Sequence, residues 1–249
     1  ADHGADLILT PELSLWGYPP RDLLLDSNRV IAQSEILNEL ANELEKIKPN
    51  SSLLIGIAEQ AKDLQLPKLF NAVALITNGS WEVVARKQLL PTYDVFDEKR
   101  YFRPAKSTSI IKFKVKDSLF KIGLTICEDL WVEENIQRHR TKGHDPIEQL
   151  ITKDIDLLLN LSASPFAYSK EFLRTELAHK AAKRLGCPVI YLNQIGANDE
   201  LIFDGSSFVI NSNGEISLSL PKCKEHLAIW NSNQTVKLKS SSVISPEEQ

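Results

Sequence analysis

At 249 residues, 43% hydrophobic and 25% charged, the chain has the composition of globular protein and is long enough to bury one sizeable core. A net charge of −4, with 29 Lys and Arg dispersed rather than clustered, provides no basic field for a phosphate backbone and argues against nucleic acid as a partner. No apolar run approaches the ~20 residues of a membrane span, and no basic segment followed by an apolar stretch opens the chain, so the expectation is a cytoplasmic protein without a membrane partner.

Taken in order, the elements alternate between strands and helices. Leu7 to Thr10 reads as a short apolar strand that runs into Pro11-Glu12-Leu13-Ser14. Between Ser27 and Lys48, Val30, Ile31, Leu37, Leu40, Ala41, Leu44 and Ile47 recur at helical spacing, and Pro49 stops the run, which predicts an amphipathic helix lying on a sheet. Ser52 to Ala58 is the next strand. Leu69 to Thr77 and Trp81 to Arg86 flank Asn78-Gly79, a two-residue hairpin signal, and Lys87 ends the second arm. Pro91 to Pro104 is read as a long irregular segment of the kind that often carries function.

In the stretch from Phe120 to Trp131, Phe120, Ile122, Leu124 and Ile126 alternate with Lys121, Gly123, Thr125 and Cys127, the period of a strand with one apolar face. Cys127 ends that strand on the polar face, at its rim, where a thiolate would find access and a cation to lower its pKa. A buried small hydrophobe is the competing reading of the same cysteine. Asp145 to Lys153 predicts a short helix, and Ile155 to Leu161, almost continuously apolar, a buried strand that ends in Ser162-Ala163-Ser164-Pro165. Lys170 to Leu185 predicts a second amphipathic helix capped by Gly186. Pro188 to Asn193 is another strand, Ser206 to Asn211 and Glu215 to Leu220 form a hairpin about Asn213-Gly214, and Leu227 to Trp230 would add an edge. Two-residue connections exclude an all-parallel doubly wound sheet; helix layers on sheets packed face to face accommodate both kinds of connection.

Cys127, Cys187 and Cys223 are an odd number without metal-ligand spacing, so free thiols are expected, with neither a disulfide framework nor a metal. The chain holds no methionine, which suggests a piece of a longer reading frame. Glu12, Lys87, Cys127, Ser162 and Ser164 all stand where strands end. If those ends share a rim, a carboxylate, an ammonium and a thiol converge: Glu12 as general base, Lys87 opposing oxyanion charge, Cys127 attacking a carbonyl. Taken singly, Glu12 reads as a solvated loop acid and Lys87 as a surface charge closing a hairpin. The histidines His3, His139, His144, His179 and His226 fall in polar or helical contexts without a triad pattern.

Several motifs now fall in one order: Pro11-Glu12-Leu13-Ser14 with Gly17-Tyr18-Pro19-Pro20-Arg21-Asp22-Leu23-Leu24; Lys87-Gln88-Leu89-Leu90-Pro91; Phe96-Asp97-Glu98-Lys99-Arg100-Tyr101-Phe102; and Ile126-Cys127-Glu128-Asp129-Leu130-Trp131. Together they resemble the nitrilase superfamily. Asn160-Leu161-Ser162-Ala163-Ser164-Pro165-Phe166 and Asp199-Glu200-Leu201-Ile202-Phe203-Asp204-Gly205 are most similar to the glutamine-hydrolysing domain of glutamine-dependent NAD synthetases.

The resemblance implies a four-layer α-β-β-α sandwich with mixed sheets, lacking here the family's first strand and helix, and a domain over residues 1–238 followed by a linker, 239–249, toward an ATP-dependent synthetase domain. It implies Glu12, Lys87 and Cys127 as catalytic triad, and Tyr93, Glu98, Trp131 and Ser164 as substrate-binding residues, with Glu98 also placed to meet the substrate's ammonium group. Glutamine is the implied substrate and other copies of the chain the implied assembly partners. No cofactor is expected in this chain, since ATP and Mg belong to the synthetase domain. Thr92-Tyr93-Asp94 and Gln194-Ile195-Gly196-Ala197-Asn198-Asp199 depart from the branch's usual residues. A superfamily amidase or carbamoylase acting on another small amide, or a catalytically silent module of the same fold, are the alternatives.

Overall fold

A computed structural model describes residues 4–63, 65–132 and 143–232. The expected linker, His3 and His139 lie outside the described residues.

The chain forms two mixed sheets and a separate hairpin among these residues. The first sheet takes β1 (Leu7–Leu9), β2 (Ser52–Gln60), β3 (Leu69–Thr77) and β4 (Ser80–Arg86) in that order. β1 and β2 run parallel, and the rest pair antiparallel. β1 is short and lies at the sheet's edge. The second sheet has the order β12 (Ile216–Ser219), β11 (Phe208–Ile210), β8 (Val189–Asn193), β7 (Leu157–Ser162), β6 (Ser118–Ile126), β5 (Ser109–Val115). Its central strands β6, β7 and β8 are parallel, so both of their faces must be covered.

Alternation along the strands decides which layer each residue joins. Leu54, Val73 and Leu75 of the first sheet pack against Ile122, Leu124, Ile126, Leu159 and Leu161 of the second, so the sheets meet face to face. Their neighbours Leu53, Ile55, Ile57, Ala72, Ala74 and Ile76 point the other way, onto Leu37 and Ala41 of helix α1 (Ser27–Ile47). Likewise Leu158, Val189, Tyr191, Phe208 and Ile210 turn outward onto Leu177, Ala178 and Ala181 of a helix at Lys170–Leu185. The layers therefore run helix, sheet, sheet, helix. Asp26 caps α1 by accepting from the Asn28 N–H, and the second long helix ends at Gly186, whose left-handed φ of 67° suits a residue without Cβ.

The structure corrects several expectations. β6 is buried on both faces from Ile122 to Ile126, because β7 continues it into a sheet covered on each side. Pro91 to Pro104 is not wholly irregular, since Glu98–Tyr101 forms one helical turn, α2. The helix expected over Asp145 to Lys153 contracts to α3 (Glu148–Ile151), with the Asp145 carboxylate accepting from the Ile147 and Glu148 N–H groups before it. The long helix is accordingly α4. Leu227 to Trp230 forms no strand. Two hairpins went unread: β5 with β6, and β9 (Ile195–Asn198) with β10 (Leu201–Asp204), which stands apart from both sheets. No helix among the described residues is long and apolar enough to cross a membrane.

Candidate active site

Glu12 follows β1 on a segment pressed against the main chain of β2. A Cβ built on Gly56 would stand 2.2 Å from the Leu13 nitrogen and 2.5 Å from the Pro11 oxygen, so only glycine lets the two backbones approach this closely. The Glu12 carboxylate is then held from three directions. Asn71 Nδ2 and Lys87 Nζ each donate to Oε1 at 2.7 Å, and the Ala163 N–H donates to Oε2 at 2.9 Å.

Lys87 leaves β4 with a side chain that is 0% exposed. Its ammonium donates at 2.7 Å to Glu12 Oε1 and at 2.7 Å to Glu98 Oε1. Burial works against that charge, but Glu12 and Glu98 overcome it, and the ammonium is held well above the ordinary lysine range. A lysine ammonium has three N–H donors, so one is left over from these two bonds. Tyr18 OH also donates to Glu98 Oε1 at 2.7 Å. Burial pushes Glu98 up to about 7, with Glu12 adding to the rise and Lys87 opposing it.

Cys127 is not the last residue of its strand. β6 ends at Ile126, and Cys127 opens a short 3-10 turn, Cys127–Leu130, with φ of 46°. A non-glycine residue in this left-handed region stores of order 1–3 kcal/mol, which the surroundings must hold in place. Asn160 Nδ2 donates to the Cys127 carbonyl at 3.3 Å and so secures the turn. The thiol is buried at 7% exposure rather than presented at an open rim. Its pKa is raised, not lowered: burial and Glu12 push it up, and Lys87 only partly opposes them. The resting group is therefore the thiol, and attack requires that its proton be taken.

Tyr93, Trp131 and Ser164 stand in different settings. Tyr93, 37% exposed, donates its OH to Glu128 Oε1 at 2.7 Å, and burial together with that carboxylate pushes the phenol up. Trp131 is buried, and the Lys170 ammonium lies 5.4 Å from its ring centroid and 5.6 Å from that of Phe96. Ser164 is buried one residue beyond the Ala163 N–H that holds Glu12; Arg174 Nε donates to its Oγ at 3.3 Å. Glu98 Oε1 is taken by Lys87 and Tyr18, whereas its buried Oε2 has no hydrogen-bond partner among the described residues. A cleft of about 220 Å³ opens beside it, lined by Tyr18, Arg21, Phe96, Glu98 and Tyr101. Among the described residues no three His, Cys, Asp or Glu side chains are grouped to hold a metal ion.

Sequence reading passed over Lys170, Glu128, Tyr18 and Asn71 as site residues. Lys170 carried a usable signal, because a cation in the first turn of a helix opposes the helix dipole and needs another reason to be there. That reason is its setting: burial pulls its pKa down, while Cys127 and Glu128 act to raise it.

The model of the family described as Carbon-nitrogen hydrolase matches residues 1–236. The chain is 45% identical over 229 residues to a glutamine-dependent NAD(+) synthetase of Synechocystis sp., covering 91% of this chain and 40% of that protein. A synthetase of the same description from Acinetobacter baylyi is 34% identical, with 90% and 37% covered. Among solved structures, the glutamine-dependent NAD+ synthetase of Acinetobacter baumannii superposes with a TM-score of 0.76 at 35% identity, over 90% of this chain and 38% of that one. A carbon-nitrogen hydrolase of Helicobacter pylori shares the fold, with a TM-score of 0.69 at 21% identity over 88% of this chain and 75% of that one. The chain thus spans about 40% of the length of the curated relative from Synechocystis. From the match over residues 1–236, the chain belongs to the carbon-nitrogen hydrolase family.

Proposed function

We propose that this chain is the glutamine-hydrolysing part of a glutamine-dependent NAD synthetase, and that it releases ammonia for the ATP-dependent amidation of deamido-NAD to NAD. The observation that carries the chemistry is the wholly buried ammonium of Lys87 between the carboxylates of Glu12 and Glu98, electrostatically coupled to the Cys127 thiol. The choice of glutamine rests on the relatives' names.

In the reaction, Cys127 Sγ attacks the side-chain amide carbon while Glu12 takes the thiol proton. The remaining N–H of Lys87 opposes the charge that develops on the amide oxygen. Collapse breaks the C–N bond, Glu12 returns its proton to the leaving nitrogen, and ammonia departs from a Cys127 thioester. Water then attacks the thioester, giving up a proton to Glu12, which passes it to the sulfur as glutamate leaves. Tyr93, Trp131 and Ser164 line the substrate pocket. Glu128 and Lys170 offer charges of opposite sign to the amino and carboxylate groups of an amino-acid substrate. ATP and magnesium are assigned to a separate synthetase part, and no residue here is given to them.

The test is to incubate the purified chain with glutamine alone, then with glutamine, ATP and deamido-NAD, following glutamate, pyrophosphate and NAD separately. Glutamate without pyrophosphate or NAD is expected. Pyrophosphate or NAD above background would contradict the division of labour. No glutamate even with a supplied synthetase part would favour a silent module, and faster turnover of another small amide a different amidase.

A further inference from the structure

Asp129 lies two residues beyond Cys127 and is buried. Its Oδ1 accepts from the Gln88 N–H at 3.0 Å and the Leu89 N–H at 2.8 Å, and its Oδ2 from the Ile126 N–H at 3.0 Å. Gln88 and Leu89 directly follow Lys87, whereas Ile126 directly precedes Cys127. One carboxylate therefore ties the main chain that carries the lysine, at the end of β4, to the main chain that carries the thiol, at the end of β6.

The two segments belong to different sheets, and sheets packed through apolar side chains can slide by fractions of an ångström without losing much contact area. A capping role in the turn after β6 would account for the Ile126 bond alone; it leaves the two bonds to the lysine segment unexplained. An apolar residue of similar size would strand three buried N–H groups. Burial pushes the Asp129 carboxyl up to about 6, but the Leu89, Ile126 and Gln88 N–H groups draw it back toward the charged form.

We infer that Asp129 is a positioning residue that sets the distance between the Lys87 ammonium and the Cys127 thiol, and through it the fit of Lys87 to the developing oxyanion. The inference rests on the hydrolytic function proposed above.

The experiment is Asp129→Asn, which keeps the volume but turns an amide donor toward one of the three N–H groups. A misplacement of about 1 Å can cost about 10²-fold in rate, so kcat for glutamine should fall by about that factor while KM stays within about threefold. Alkylation of Cys127 by iodoacetamide, which develops no oxyanion but does sense Lys87 through the thiol's pKa, should fall by much less than kcat, and alkylation of buried Cys187 should stay within about twofold. Unchanged kcat would overturn the inference, as would a kcat loss matched by a rise in Cys187 alkylation, since that reports a loosened fold. If Asp129→Asn does not fold, Asp129→Glu, which keeps the charge but displaces it by a methylene, is read the same way; failure of both to fold would overturn positioning in favour of a purely structural role. Cys127→Ala measured alongside separates the two readings. Hydrolysis retained there refutes the proposed function, whereas hydrolysis lost there but retained in Asp129→Asn refutes only the role of Asp129.

Discussion

Replacing Lys87 with methionine probes the centre of the site, because it removes one charge and leaves the stem. The ammonium makes two 2.7 Å contacts, to Glu12 and Glu98, inside a region with no exposure of the lysine side chain. Its loss leaves two carboxylates facing each other without a counter-charge. Breaking a buried pair costs about 3–5 kcal/mol when the remaining charge cannot adapt. Here it can, because Glu98 already sits at about 7 and takes up a proton readily. Removing Lys87 also removes a charge that holds Glu98 down, so the variant keeps that proton to higher pH, and the stability loss should be smaller near pH 6 than near pH 9. Catalysis has no such relief, since the oxyanion loses the ammonium assigned to it: one donor in a preorganised site is worth about 3–4 kcal/mol, or about 10²–10³ in kcat. Glutamate release by Lys87→Met, compared with Lys99→Ala, measures the second effect, and thermal denaturation at the two pH values the first. Lys99 is exposed at the surface of α2 and its removal should be nearly neutral. Equal losses in the two variants would refute the assignment of Lys87, and a pH-independent stability loss would refute the account of Glu98.

Cys127→Ala should abolish glutamate release while Cys187→Ala and Cys223→Ala stay near wild type, since only Cys127 is coupled to Glu12 and Lys87; comparable losses in all three would sink the nucleophile. Gly56→Ala forces a Cβ onto main-chain atoms of Pro11 and Leu13 that cannot swing aside, so a destabilisation of at least about 1–3 kcal/mol should accompany loss of hydrolysis, checked by denaturant titration. The carboxyl of Glu98 is raised above its ordinary value in the folded chain, so the native state binds the proton more tightly, and this contribution to stability is present at low pH and lost as pH rises from about 4.5 to about 7. Tyr18→Phe removes a hydrogen bond that holds Glu98 down, so the upper end of that window should move to higher pH in a plot of Tm against pH. No movement would mean that Tyr18 does not govern Glu98.

Much of the fold was legible because local chemistry and tertiary structure agree. The Asn78-Gly79 turn joins β3 to β4 as expected, α1 ends before Pro49, and α4 ends at Gly186. β5 was missed although Ile111, Phe113 and Val115 alternate with Lys112 and Lys114, because its turn to β6 is Lys116-Asp117, with Lys116 at φ of 53° and no glycine to announce it. β9 and β10 are four residues each and polar at their turn, too short for periodicity to separate them from a loop. Glu12, Lys87 and Cys127 were visible as polar residues at apolar strand ends. Which of the two readings of the thiol holds was not, because its burial depends on a cluster that includes Leu54, Val73 and Leu159, which are distant in sequence. Lys170 was missed although its place in the first turn of α4 runs against the helix dipole, because that segment was read only for the spacing of its apolar face.

The bond between the Ala163 N–H and Glu12 Oε2 spans 151 positions of the chain, and it crosses from the six-stranded sheet to the four-stranded one. Within each sheet, most strands find partners nearby in sequence, whereas the base and ammonium reach the thiol only when the two sheets have mated. Contacts of such separation form late, because loop closure must precede them. A newly made chain should thus regain its strand signal in circular dichroism before it regains amide hydrolysis, and during that interval its cysteine stands without either of the groups that arm it. The proposed hydrolysis should therefore report the alignment of the two sheets more sharply than any measure of secondary structure.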